Sequence, residues 1–172
     1  PGVSILIAAY NEEDWIVEKI NNTLSLNYPA ELLKVIIITD GSTDGTLQKA
    51  KSCSVPVGMS IEVHHQSERK GKLAAIERIM PLVRTPITVF TDANTQLNLQ
   101  AIQHLVRHYH NPKIGAVAGE KRISSANTDE ASSAGEGMYW KYESLLKAWD
   151  AKLYSAVGAA GELFSIRTDL YE

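Results

Sequence analysis

With a single cysteine, Cys53, the 172-residue chain can form no intramolecular disulfide and no cysteine-based zinc knuckle, and a reducing compartment suits it. Positive charge is not in excess. Seventeen Lys and Arg stand against 20 Asp and Glu, a net charge of −3, so no bulk field recommends nucleic acid or an anionic membrane surface as the main partner. An anionic ligand would need a local cluster of cations instead. Long hydrophobic runs are missing too: Ile5 to Tyr10 and Val35 to Ile38 fall far short of the roughly 18 residues of a membrane span. There is no G-x-G-x-x-G turn and no G-x-x-x-x-G-K-[ST] loop, which disfavours dinucleotide dehydrogenases and P-loop triphosphatases. No secretory signal opens the chain, and Pro1 in place of Met, running directly into a strand, predicts a segment excised from a longer protein.

What remains is the composition of an ordinary globular domain, 44% apolar with 11 glycines, which excludes intrinsic disorder for most of the chain. Short β-branched runs alternate with longer amphipathic stretches, the pattern of an α/β fold with a parallel sheet and crossover helices. Strands are predicted at Val3 to Ala9, Leu33 to Thr39, Ile61 to His64, Ile87 to Thr91, Ile114 to Gly119 and Glu162 to Ile166. Between the first two, Asn11 reads as an N-cap, with Glu12, Glu13 and Asp14 in the first turn and Ile16, Ile20 and Leu24 on the buried face. Further helices are expected over Thr43 to Ser52, through Leu73, Ile76, Met80 and Val83, over Asn98 to Tyr109, and through Met138, Tyr142, Leu145 and Trp149. Ser124 to Gly137 reads as a loop.

In an open parallel sheet, ligands collect beyond the carboxyl ends of the strands, where loops and helix N-termini offer free donors. Three polar loops fall at that edge: Ala8-Ala9-Tyr10-Asn11-Glu12, Asp40-Gly41-Ser42-Thr43-Asp44-Gly45-Thr46, and Asp92-Ala93-Asn94. Asp92 ends an apolar strand, and Asn94, two residues on, brings a second oxygen to the same side. Two such oxygens suit Mg²⁺ or Mn²⁺, which keeps some water and completes its shell with phosphate oxygens, so the partner would be a diphosphate. Asp40 could accept from a nucleobase N–H, and Ser42 and Thr43 could cap the next helix. Arg69-Lys70-Gly71-Lys72 sets three cations at a helix start, where they could neutralise a leaving diphosphate. Plainer readings stand beside these: Asp40-Gly41 as a turn, Asp92 as a helix cap, the lysines as a solvated helix start, and Glu12 as a complement to the helix dipole. His104 and His108 lie four apart with no third ligand nearby and read as surface histidines.

Taken together, AAYNEE, DGSTDGT, RKGK and FTDAN, in this order and each after a predicted strand, resemble the family two inverting glycosyltransferases of the GT-A fold. The likeness is strongest to the membrane-bound processive synthases of cellulose, hyaluronan or poly-N-acetylglucosamine, and it covers residues 3 to 168. It implies a three-layer α/β/α domain with a mostly parallel sheet. It also implies a nucleotide-sugar donor, usually UDP-linked, a Mn²⁺ or Mg²⁺ ion, and transfer with inversion to a saccharide or lipid-linked acceptor in polysaccharide or cell-envelope glycan synthesis. Carried over by position, Ala9, Tyr10, Glu12 and Ala93 belong to the nucleotide-binding set, Asp40 meets the base, and Arg69 and Lys72 sit near the diphosphate. Asp92 and Asn94 stand where the family has its D-x-D metal motif, with Asn in place of the second Asp, and the catalytic roles within the chain fall to Asp92 and Lys72.

Val157 to Glu162 resembles the small-residue loop beneath the acceptor, and Tyr139, Trp140 and Glu143 are candidates to touch an acceptor sugar. The resemblance further implies that residues 1–172 are one catalytic domain ending before the general base, the Q-x-x-R-W motif and the membrane helices. Donor binding would then survive where transfer fails, and the parent enzyme would work at the cytoplasmic face of a membrane. A sugar-nucleotide nucleotidyltransferase is the enzyme alternative, although it needs a Gly-rich, Arg-containing loop where AAYNEE stands. A nucleotide-binding module without catalysis is the non-enzyme alternative.

Overall fold

The computed structural model describes residues 1–120 and 162–172. Within them β1 (Val3–Ala9), α1 (Ile16–Leu24), β2 (Leu33–Asp40), α2 (Thr46–Ser52), β3 (Ser60–Gln66), α3 (Lys72–Ile79) and β4 (Ile87–Asp92) follow the predicted alternation. They are followed by α4 (Ala101–Val106), β5 (Ala116–Ala118) and β6 (Leu163–Arg167). The strands form one sheet in the order β3-β2-β1-β4-β6-β5. β1 to β4 are mutually parallel, and β6 runs antiparallel to both β4 and β5. The sheet is therefore mixed and mostly parallel, as the family resemblance implies, and the antiparallel β6 departs from the parallel sheet that the sequence pattern predicts.

Alternation along β1 explains the three layers. Val3, Ile5 and Ile7 point to one face and pack with Ile16, Ile20 and Leu24 of α1, Ala50 of α2, and Ile102 and Leu105 of α4. Leu6 points to the other face, where Ile36 and Ile38 of β2 meet Ala75, Ile76 and Ile79 of α3. The near-continuous apolar run of β2 is thus buried on both sides. Tyr109 and Ser165 share a 2.8 Å hydrogen bond against the sheet, as do Thr88 and Thr168.

Several expected boundaries move. α1 begins at Ile16, after a turn in which Trp15 and Ile16 N–H donate to Glu12 O. Asn11 is not its cap but a left-handed residue with φ of 52°. Leu73 is 67% exposed, because Ala75, Ile76 and Ile79 are the residues of α3 that turn toward the sheet, with Met80 and Val83 beyond it. The expected helix to Tyr109 tightens after Val106 into a 3-10 segment, Arg107–His110. His104 and His108 are exposed. The loop at 124–137, the helix through Met138 and Trp149, and Tyr139, Trp140 and Glu143 lie outside the described residues. Among the described residues no helix is long and apolar enough to cross a membrane.

Ile37 is fully buried, whereas Val57 is wholly exposed in the α2–β3 loop. Ile37→Ala should lower unfolding free energy by about 2–5 kcal/mol, and Val57→Ala by less than about 0.5 kcal/mol, in chemical denaturation.

Candidate functional site

The parallel register decides which residues meet. Ala9 lies beside Thr39 and Ala8 beside Asp92, so Asp40 and Asp92 leave the sheet on either side of the Ala9-Tyr10 segment. The loops after β1 and β2 then satisfy each other's backbone. Asn11 N–H donates to Ser42 Oγ (3.2 Å), Thr43 N–H donates to Asn11 Oδ1 (2.9 Å), and Glu12 N–H donates to Thr46 Oγ1 (2.8 Å). Glu13 N–H reaches Asp44 Oδ2 (3.1 Å), while Gly45 N–H donates to Glu13 Oε2 (2.9 Å). Ser42 and Thr43 therefore bridge to the first loop instead of capping α2. Asp44 accepts from Thr46 N–H at 3.0 Å at the start of that helix.

Asp40 is 4% exposed, and its Oδ2 accepts from Lys70 N–H (2.9 Å) and Gly71 N–H (2.7 Å), fastening the basic loop to the end of β2. Its Oδ1 is buried without a hydrogen-bond partner among the described residues, 3.9 Å from Arg78 Nη1. Gly41 is required here. Its φ is +69°, and a Cβ would come within 2.6 Å of Arg69 N. The Arg69 guanidinium lies 3.8 Å from the centre of the Tyr10 ring, and the Lys72 ammonium is paired with Asp92 Oδ1.

All nine residues singled out from the sequence, Ala9, Tyr10, Glu12, Asp40, Arg69, Lys72, Asp92, Ala93 and Asn94, line one cavity of about 250 Å³ together with Ala8, Gly71 and Ala75. A second cavity of about 500 Å³ continues beyond Asp92 and Asn94 and is bordered by Gln96, Glu120 and Glu162. Burial, then the Asp92 and Asp44 carboxylates, push the Glu12 carboxyl above its usual range. A divalent cation would relieve that crowding, and the hard oxygens of Asp92 and Asn94 are of the type it prefers. Among the described residues no group of three His, Cys, Asp or Glu forms a cage, so such an ion would need water or ligand oxygens as well.

Sequence reasoning passed over Lys19. It is 0% exposed, and its ammonium donates to Thr91 Oγ1 (2.9 Å) and Thr95 O (2.5 Å) beneath the Asp92 loop. Burial holds its pKa down to about 8 while the Asp92 carboxylate pulls it up, so it keeps its charge at neutral pH. The available signal was a lysine between Ile16 and Ile20 on the apolar stripe of α1. Arg78 and Gln66, hydrogen-bonded to each other beside Asp40, gave no such signal.

Asp40→Ala should leave the Lys70 and Gly71 amides unpaired, each costing about 1–3 kcal/mol. The check is hydrogen exchange: those two amides should lose protection while β1 amides keep theirs.

The sequence profile of the domain described as "Glycosyl transferase family 2" matches residues 4–172. The chain is 31% identical over 169 residues, 95% of its length, to beta-monoglucosyldiacylglycerol synthase of Nostoc sp.. Over 131 residues, 74% of its length, it is 30% identical to poly-beta-1,6-N-acetyl-D-glucosamine synthase of Staphylococcus aureus. It spans 34% and 30% of those two proteins. Among solved structures it resembles a mannosyltransferase from Pyrobaculum calidifontis in complex with GDP-Man and Mn²⁺, with TM-score 0.79, 24% identity, and coverage of 97% of this chain and 44% of that one. It also resembles glucosyl-3-phosphoglycerate synthase from Mycobacterium tuberculosis in complex with UDP, with TM-score 0.65, 20% identity, and coverage of 98% and 57%. The fold is that of the GT-A glycosyltransferases, and the chain belongs to glycosyl transferase family 2.

Proposed function

We propose that this chain forms the donor-binding part of an inverting, metal-dependent glycosyltransferase. It would take a UDP-sugar and serve a saccharide or lipid-linked acceptor in polysaccharide or cell-envelope glycan synthesis at the cytoplasmic face of a membrane. The observation that carries the reading is the convergence of the ends of β1, β2 and β4, with the RKGK loop, on one cavity. Its alanines, Ala8, Ala9, Ala75 and Ala93, leave room for a flat base and a ribose between Tyr10 and the sheet end. The unpartnered Oδ1 of Asp40 is an acceptor suited to a base N–H, since its other oxygen is committed to two amides.

Asp92 and Asn94 would hold a Mg²⁺ or Mn²⁺ ion, which as a Lewis acid would offset charge on the departing diphosphate. Arg69 and Lys72 contribute positive charge to the same cavity, Lys72 directly beside Asp92. In this reading Lys72 exchanges its bond to Asp92 for diphosphate oxygens when donor binds, releasing the carboxylate for its role as a ligand. The acceptor approaches from the larger cavity beyond Asp92, and the group that takes its proton is assigned outside residues 1–172.

Calorimetric titration tests the reading directly. Uridine diphosphate should bind more tightly than guanosine diphosphate, and Mn²⁺ should strengthen the binding. Asp92→Ala should abolish the manganese effect, and Lys72→Ala should weaken binding about tenfold or more with the metal present. No binding of any nucleoside diphosphate would defeat the reading. Preference for guanosine diphosphate would defeat its uridine part alone.

A further inference from the structure

The loop that carries Asp92 and Asn94 has little structure of its own. Among the described residues, the backbone hydrogen bond inside it is Thr95 N–H to Asp92 O at 3.3 Å, before Leu97 leads toward α4. Backbone groups of Thr95 and Leu97 are held from α1. Lys19 Nζ donates to Thr95 O at 2.5 Å and to the hydroxyl of Thr91, which itself donates to Glu162 O at 2.9 Å. Three residues further along the same helix, Asn22 grips Leu97 twice: Nδ2 donates to Leu97 O (2.8 Å), and Leu97 N–H donates to Oδ1 (2.9 Å).

If α1 had only to fill space here, leucine or methionine would do so without the penalty of a buried ammonium. What the ammonium and the amide supply is directed donors and an acceptor, and these four hydrogen bonds go to the segment from Thr91 to Leu97. The same helix follows Tyr10 and Glu12, which also line the cavity, after one turn in which Ile16 N–H donates to Glu12 O. Both sets of lining residues are therefore referred to one rigid element.

We infer that Lys19 and Asn22 are positioning residues for the Asp92–Asn94 loop, and that their hydrogen bonds set how strongly nucleotide binding responds to a divalent cation. The inference rests on the function proposed above. Neither side chain lines the cavity, so both act through the loop: without them Asp92 and Asn94 sample many relative placements, and the oxygens a cation needs together are seldom together.

The test is titration of the chain with uridine diphosphate, with and without Mn²⁺, for the wild type, Lys19→Met, Asn22→Ala, Thr91→Val and Thr91→Ser. Thr91→Val keeps the buried shape of a β-branched strand residue while removing the hydroxyl that Lys19 holds, so it reports even where Lys19→Met fails to fold. The expected result is a manganese-dependent gain in affinity reduced about tenfold or more in Lys19→Met, Asn22→Ala and Thr91→Val, with metal-free affinity within about twofold of wild type. Thr91→Ser, which restores the hydroxyl, should recover the gain. Variants that keep the full gain, lose metal-free binding equally, or behave alike at Thr91→Val and Thr91→Ser overturn the inference while leaving the proposed function standing. A wild-type chain with no manganese-dependent gain overturns both.

Discussion

The site exists because β1 is clamped in register between two parallel neighbours. Pairing of Ala9 with Thr39 and of Ala8 with Asp92 brings Asp40 and Asp92 to the same sheet edge on either side of Tyr10. A slip of β1 by one residue would turn Val3, Ile5 and Ile7 away from α1, so burial of these side chains specifies the register. The apolar core and the polar cavity are two consequences of one alignment. Helices on both faces give that alignment no solvent-exposed alternative.

Such an edge carries a cost, since three polar loops and several charges are crowded together at one end of the sheet. The chain offsets it by cross-pairing. The first two loops donate to and accept from one another, Asp40 takes two amides of the basic loop, and Lys72 sits on Asp92. One acceptor, Asp40 Oδ1, and one donor, Arg78 Nη2, stay buried without hydrogen-bond partners among the described residues. Of the two residues, Asp40 lines the cavity and Arg78 stands behind it, 3.9 Å from the Asp40 carboxylate. Lys19 belongs to the same economy of charge, a cation placed below the loop whose carboxylate faces the cavity from above.

The legibility of this protein in its sequence varied with the range of the forces involved. The four parallel strands and their helices could be read because periodicity of apolar residues is local, and the three polar loops because turn residues after buried strands fall at a common edge, whereas Ala9, Tyr10, Glu12 and Ala93 were picked out within them by the family resemblance. Helix starts were misread where side chains had distant claims on them. Asn11 looked like a cap and instead binds Thr43, and Ser42 and Thr43 looked like caps and instead serve Asn11. Leu73 fitted the apolar spacing of α3 but faces solvent, since a helix of eight residues turns only part of its circumference to the sheet.

By itself, then, the order of residues determined the α/β class, the buried strands and the edge at which the polar loops gather. Those follow from side-chain period and turn preference within a few positions of each other. Tertiary structure alone decided which partner each polar group would take: Asp40 with amides 30 and 31 positions away, Asn11 with one 32 away, and Lys19 with oxygens 72 and 76 away. A hydrogen bond is settled by ångströms and angles, and distances between segments so far apart in the chain come into being only once the core has packed.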